Sequence, residues 1–121
     1  TEIYTLSLHD ALPICRFFCN LKLSYTKPNK FKGAIEWTLK ESLLPSVQTR
    51  IGMNAIEYVT GEYIPSNRLL CLAGYEKEDP HQLISLDQYV MVLSGDGKFL
   101  QGKSHAQGSW MGQIKFARGQ K

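Results

Sequence analysis

Apolar and polar residues alternate along most of this chain at a spacing of two. Phe31, Gly33, Ile35, Trp37 and Leu39 alternate with Lys32, Ala34, Glu36, Thr38 and Lys40. That period assigns each set to one face of a pleated strand. A helix would also stack Lys32, Glu36 and Lys40, but the Ile, Trp and Thr content and the internal Gly33 favour the strand. Arg16 to Tyr25 alternates more loosely, with Leu21, Leu23 and Tyr25 on one face. Ser46 to Met53 predicts a short strand, with Val47, Thr49 and Ile51 together, and Ala55 to Thr60 predicts another. Arg68 to Tyr75 is apolar on both faces, the pattern of a strand covered on two sides. Ser85–Ser94, Lys98–Lys103 and Ser109–Phe116 complete the set. In the last of these Trp110, Gly112, Ile114 and Phe116 share one face, opposite Met111, Gln113 and Lys115.

Turn chemistry separates these runs. Pro28 breaks Thr26–Lys30, and Pro45 forbids a central strand at the end of Glu41–Pro45. Gly52–Asn54 predicts a turn, Gly61–Asn67 a bend, and Glu76–His81 a charged loop before Leu83 and Ile84 re-enter the core. Asp96-Gly97 between apolar runs predicts a tight primed hairpin, which needs positive φ at both central residues. Ser104–Gly108 is a looser turn closed by glycine. Seven or eight strands with no convincing helix predict an all-β antiparallel meander, closing as a barrel or packing as a sandwich. An open sheet of this length would leave one apolar face wet and two edges unpaired, and closure or stacking removes both problems.

The length of 121 residues allows one domain. Apolar content of 43% and charged content of 21% are those of an ordinary globular chain. No run of 18 apolar residues is present, so the sequence predicts no membrane span. Cys15, Cys19 and Cys71 are an odd set without metal-ligand spacing, and no metal or other cofactor is expected. Thiols rather than a disulfide framework suit a reducing, cytoplasmic compartment.

The first fourteen residues stand apart. Thr1-Glu-Ile-Tyr-Thr-Leu-Ser-Leu-His-Asp-Ala-Leu-Pro-Ile14 resembles the in-frame translation of a common short-read sequencing adapter, and the spare T of that adapter fits the first base of a cysteine codon at Cys15. The resemblance implies that residues 1–14 form no domain and that 15–121 is one β-barrel or β-sandwich domain whose native start is missing. It further implies an assembled environmental or transcript read as the source. Without Glu2 and Asp10 the chain keeps fourteen basic and nine acidic residues, a formal +5.

Phe31-Lys-Gly-Ala-Ile-Glu-Trp37 and Gly108-Ser-Trp-Met-Gly112, with the Leu86-Asp-Gln-Tyr89 and Gly95-Asp-Gly97 segments between them, resemble calycin-type β-barrels, the lipocalin and fatty-acid-binding architecture. The likeness spans Lys30–Arg118. Gly33 and Trp37 are four apart, so the lipocalin Gly-x-Trp signature is not reproduced. The resemblance implies an interior able to hold a small apolar molecule and implies no catalytic residues.

Trp37, Tyr58, Tyr89 and Trp110 are the candidate ligand-lining residues, since pockets are mostly apolar with few polar anchors. The competing reading is that they fill the core, as side chains do in most small barrels. Lys22, Lys27, Lys30 and Lys32, interleaved with Tyr25 and Phe31, read as a solvated loop region rather than a nucleic-acid surface. His81, His105, Asp79, Asp87, Asp96 and Glu62 are the only acid–base set, and most fall in predicted turns. Gly95-Asp-Gly97 has no helix after it and so cradles no phosphate, and no nucleophile elbow or metal-helix motif occurs. Cys71 reads as a small buried hydrophobe. The sequence thus points to a non-catalytic barrel holding a small apolar ligand. The alternative is a filled-core accessory or protein-interaction domain beside an adjoining domain of a larger protein.

Overall fold

Each strand pairs antiparallel with the one that follows it. The computed structural model describes residues 2–10, 15–106 and 111–118. Its strands are β1 (Glu2–Asp10), β2 (Cys15–Lys27), β3 (Lys30–Ser42), β4 (Asn54–Ile64), β5 (Leu69–Glu78), β6 (Asp87–Leu93), β7 (Phe99–Ala106) and β8 (Met111–Arg118). β2 to β8 form one continuous up-and-down sheet, and β1 bridges β2 and β8 so that the sheet closes as a barrel. Glu2–Asp10, expected from its adapter likeness to form no domain, therefore lies along the closing seam. No helix among the described residues is long and apolar enough to cross a membrane.

The alternation in the sequence decides which side chains meet inside. β2 contributes Phe17, Cys19, Leu21 and Leu23, and β3 contributes Phe31, Ile35, Trp37 and Leu39. Val59, Leu70, Leu72, Tyr89, Met91, Leu100, Ile114 and Phe116 complete the described core. An eight-stranded barrel is just wide enough inside for side chains from opposite walls to touch. The middle of the lumen is accordingly packed: Leu21, Ile35, Val59, Met91 and Phe116 exclude solvent. Gly112, Ile114 and Phe116 share the inner face of β8 as their spacing predicts.

Register ties the strands together. Trp37 stands opposite Ala55 and Ile35 opposite Glu57, so the largest inward side chain of β3 faces a small one on β4. A shift of one residue would exchange every inner for every outer side chain on β4. A bulge between Tyr58 and Val59 admits the extra residue Tyr75 on β5 and bends the sheet there.

Several expectations need correction. Ser46–Met53 is no strand, because Pro45–Arg50 forms a 3-10 turn with proline near its start. Pro45 has fixed φ and no donor, and the ladder positions at the end of β3 are taken further on: Gly52 N–H donates to Leu39 O at 2.8 Å and Leu39 N–H to Met53 O at 3.1 Å. Gly61 does not begin a bend, since β4 runs on to Ile64 and Tyr63 N–H donates to Asn29 O at 2.8 Å. Asp96-Gly97 is not a two-residue primed turn. Only Gly97 has positive φ (74°), and the turn closes one residue earlier through Gly97 N–H to Ser94 O at 2.9 Å. Asp96 and Ser94 side-chain oxygens instead hold the backbone N–H groups of Lys98 and Phe99, at 3.0 Å each. The β5 face carrying Leu69, Cys71 and Ala73 is half-buried on the barrel exterior, not covered by a second layer. Leu83 and Ile84 pack against the core as expected.

Candidate ligand site

The two mouths of the barrel differ in chemistry. The β3–β4 and β5–β6 connections close one of them, and the polar centre of the molecule lies just beneath. Glu57 points inward from β4 and is fully buried. Trp37 Nε1–H donates to its Oε1 at 3.3 Å, the Tyr89 hydroxyl donates to the same oxygen, and Asp87 N–H donates to Oε2 at 2.8 Å. Burial pushes the Glu57 carboxyl up to about 7, against the opposing pull of the Asp87 N–H and the Tyr89 hydroxyl. The same burial, with the carboxylates of Glu57 and Asp87 nearby, raises the Tyr89 hydroxyl well above its ordinary value. Burial also raises Asp87, and the Ser85 hydroxyl partly offsets it. The arrangement is saturated: among the described residues no buried side-chain polar atom lacks a partner. Phe17 packs edge-on to Trp37, ring centroids 5.5 Å apart, and fixes the indole.

The opposite mouth is rimmed by the β2–β3, β4–β5 and β6–β7 turns and the end of β8. Here the inward positions of the strands continue past the packed middle and leave a cup of about 170 Å³. Leu23, Phe31, Leu70 and Leu100 form its buried floor, and Tyr25, Tyr63 and Leu93 its wall. Tyr25 leans over Phe31 with centroids 4.6 Å apart. Gly97 and Arg118 complete the rim. Among the described residues Arg118 carries the only charged side chain in that lining, at the inward parity of β8 set by Ile114 and Phe116.

The four sequence-derived ligand residues do not form one set. Trp37 and Tyr89 meet inside, on either side of Glu57, but their polar atoms are spent on its carboxyl. Tyr58 projects from the outer face of β4, where its hydroxyl donates to Glu78 Oε1 at 2.8 Å. The Glu78 carboxylate at that hydroxyl raises Tyr58. Strand alternation explains the placement, since Glu57 and Val59 take the inner positions on either side. Trp110 lies outside the described residues.

Of the acid–base set only Asp87 and His105 lie near each other, on the paired strands β6 and β7. Asp79 accepts from the N–H groups of Leu83 and Ile84, at 2.7 and 2.9 Å, and shapes its own loop. His81 is exposed, and so is His105, which lies not in the expected Ser104–Gly108 turn but on β7, since that strand runs on to Ala106. Asp96 sits in the hairpin at the far mouth, where hydrogen bonds from Ser94 and Lys98 lower its pKa. Glu62 pairs with Lys30 at 2.6 Å on the surface. Among the described residues no group of three or more His, Cys, Asp or Glu is placed to hold a metal ion. Cys71 faces outward, half-buried, in a shallow groove of about 400 Å³ between Thr60 and Val90. Sequence reasoning missed Glu57 and the cup. Register signalled the first, because the inward Trp37 needs a small partner and Ala55 supplies one, which turns Glu57 inward too.

In comparisons with known proteins, no family model matches this chain, and neither does any curated protein or solved structure.

Proposed function

We propose that this chain is a non-catalytic binding module that holds a small apolar ligand in the cup between Leu23, Phe31, Tyr63, Leu70, Leu93 and Leu100. The observation that carries this reading is the continuity of the cup with the hydrophobic core, since both are built from the same inward positions. The ligand site is the mouth and not the whole lumen, whose middle is filled by its own side chains. Cavities of about 150 Å³ lined by Leu, Ile and Phe take up a benzene ring, so a single ring is the natural occupant. The likeness to calycin barrels points the same way. The non-catalytic part of the reading rests on Glu57: this interior acid, whose pKa burial lifts to about 7, is sealed from solvent and already holds three donors.

Titration of the full chain with indole, followed by amide chemical shifts, tests the reading. Shifts should cluster at Leu70, Leu93 and Leu100 and vanish in Leu93→Trp, which plugs the cup. Shifts scattered over the outer surface, or none at millimolar indole, would end it.

The second reading, a filled-core protein-interaction domain, draws on the outer face of β6 and β7. Val90 and Val92 are about half exposed there, and Phe99 is 37% exposed beside them.

A further inference from the structure

We propose that the outer face of β5 and β6 docks a second copy of this chain, with Val90 and Val92 of each protomer seated in the groove over Cys71 and Ala73 of the other. The inference is independent of the cup, which opens at one mouth of the barrel, and it gives the exposed side of β6 its occupant.

The first observation is one of shape. Register sets the outward positions of neighbouring strands in rows. On β5 those positions hold Cys71 and Ala73, short and half-buried, and the groove of about 400 Å³ between Thr60 and Val90 lies over them. On β6 they hold Val90 and Val92, 51% and 50% exposed, which stand as a ridge beside the groove. Leu69 pairs with Val92 and Cys71 with Val90, so ridge and groove run in step. A two-fold axis along the strands, midway between β5 and β6, lays the ridge of one protomer over the groove of the other, and the reverse at the same time. An isologous contact of this kind closes at two copies.

The second observation is one of charge. The row through Cys71 and Val90 continues to Glu62 on β4 and to Lys103 on β7, each one strand beyond the apolar strip and on opposite sides of it. The same two-fold axis sets Glu62 of each protomer against the partner's Lys103. Among the described residues no carboxylate is paired with Lys103, and Glu62 meets Lys30 through one oxygen. The outside of a barrel is convex, so two copies diverge on either side of the strip, and Glu and Lys are long enough to span that gap. The face is thus complementary to its own copy in both shape and charge, and complementary charge fixes partner and register.

The strip is narrow beside a standard interface of roughly 20–30 residues a side. The dimer is therefore weak, with a dissociation constant on the order of 10–100 μM.

Sedimentation equilibrium of the full chain, up to about 1 mM, tests the proposal and should show a monomer–dimer equilibrium. Glu62→Lys and Lys103→Glu should each raise the dissociation constant about tenfold, because two attractive exposed pairs become repulsive. An equimolar mixture of these two variants should regain the association of the parent, since both facing pairs of the mixed dimer are again opposite in charge. Val90→Lys should be monomeric with the near-ultraviolet circular dichroism of the parent. A parent chain that stays monomeric would overturn the proposal, and so would association that runs on past two copies. Variants that dimerise as the parent does would remove this face as the contact. Variants that weaken the dimer without rescue in the mixture would overturn the two-fold arrangement.

Discussion

A carboxyl group sealed from water is costly as an anion, and Glu57 answers that cost by accepting three hydrogen bonds and by holding its proton to about pH 7. The unfolded chain releases the same proton near pH 4.5. Between those values the folded state binds more protons. The Glu57 contribution to stability is therefore complete below about pH 4.5 and is lost as pH rises through about 7. The loss is on the order of 3 kcal/mol across that window. Asp87, raised in the same direction by its own burial, adds to the slope. Glu57→Gln removes the titrating group but places an amide where two oxygens accepted. It leaves one donor unmatched, at about 1 kcal/mol. Urea unfolding should find the variant less stable than the parent at pH 5 and more stable at pH 8. Parallel stability curves for the two proteins would refute this account of Glu57. The residue was hard to read from sequence because Ala55-Ile-Glu-Tyr-Val-Thr60 offers two faces, and the one with Ile56 and Tyr58 looks the more apolar. Register against Trp37 overrides that impression.

At the level of elements, the residues from Asp79 to Leu86 cross the mouth above Glu57 and depend on one side chain. The Asp79 side chain is 1% exposed, and its two oxygens hold the N–H groups of Leu83 and Ile84. Lys77 Nζ adds a bond to Ile84 O at 2.8 Å, and Arg50 reaches the carbonyls of His81 and Gln82 at 3.3 and 3.4 Å. Asp79→Ala should strand two partly buried N–H groups and cost about 1–3 kcal/mol. Hydrogen exchange should accelerate at Leu83 and Ile84 while the amides of Leu72 and Met91 stay protected. Uniform acceleration over the barrel would show that the loop is no separate unit. The loop also shows what the sequence conceals. β3 and β8 were legible because one face is apolar over at least three successive inward positions. Ser46–Met53 also alternates, yet Pro45 and the bonds from Gly52 and to Met53 divert it into a 3-10 turn. Period two is a strand signal only where a neighbouring ladder is free to accept the strand. The cup was illegible for a related reason: no single strand forms it, and it emerges only where residues of seven strands, β2 to β8, reach a common rim.

For the molecule as a whole, closure turns on β1. Its register with β2 is continuous from Glu2 to His9, while its register with β8 falls in two short stretches, Tyr4–Thr5 and His9–Asp10. The described core is drawn wholly from Phe17 to Phe116, on β2 to β8. If Thr1–Ile14 stems from adapter DNA, the seven-stranded meander of β2 to β8 must carry the fold by itself. A chain of residues 15–121 should then keep its core, read as the near-ultraviolet circular dichroism of the packed Trp37. It should unfold cooperatively at a lower temperature than the full chain. Removing β1 bares the edges of β2 and β8, and an unpaired edge offers its N–H and C=O groups to any other strand. Self-association that grows with protein concentration should therefore appear in sedimentation equilibrium of 15–121 and be weaker in the full chain. An unfolded 15–121 would count against setting the first fourteen residues aside, because a segment foreign to the protein has no reason to be indispensable to its core. A folded, strictly monomeric 15–121 would show instead that β2 and β8 protect their own edges, and that the seam is no acceptor for a strand.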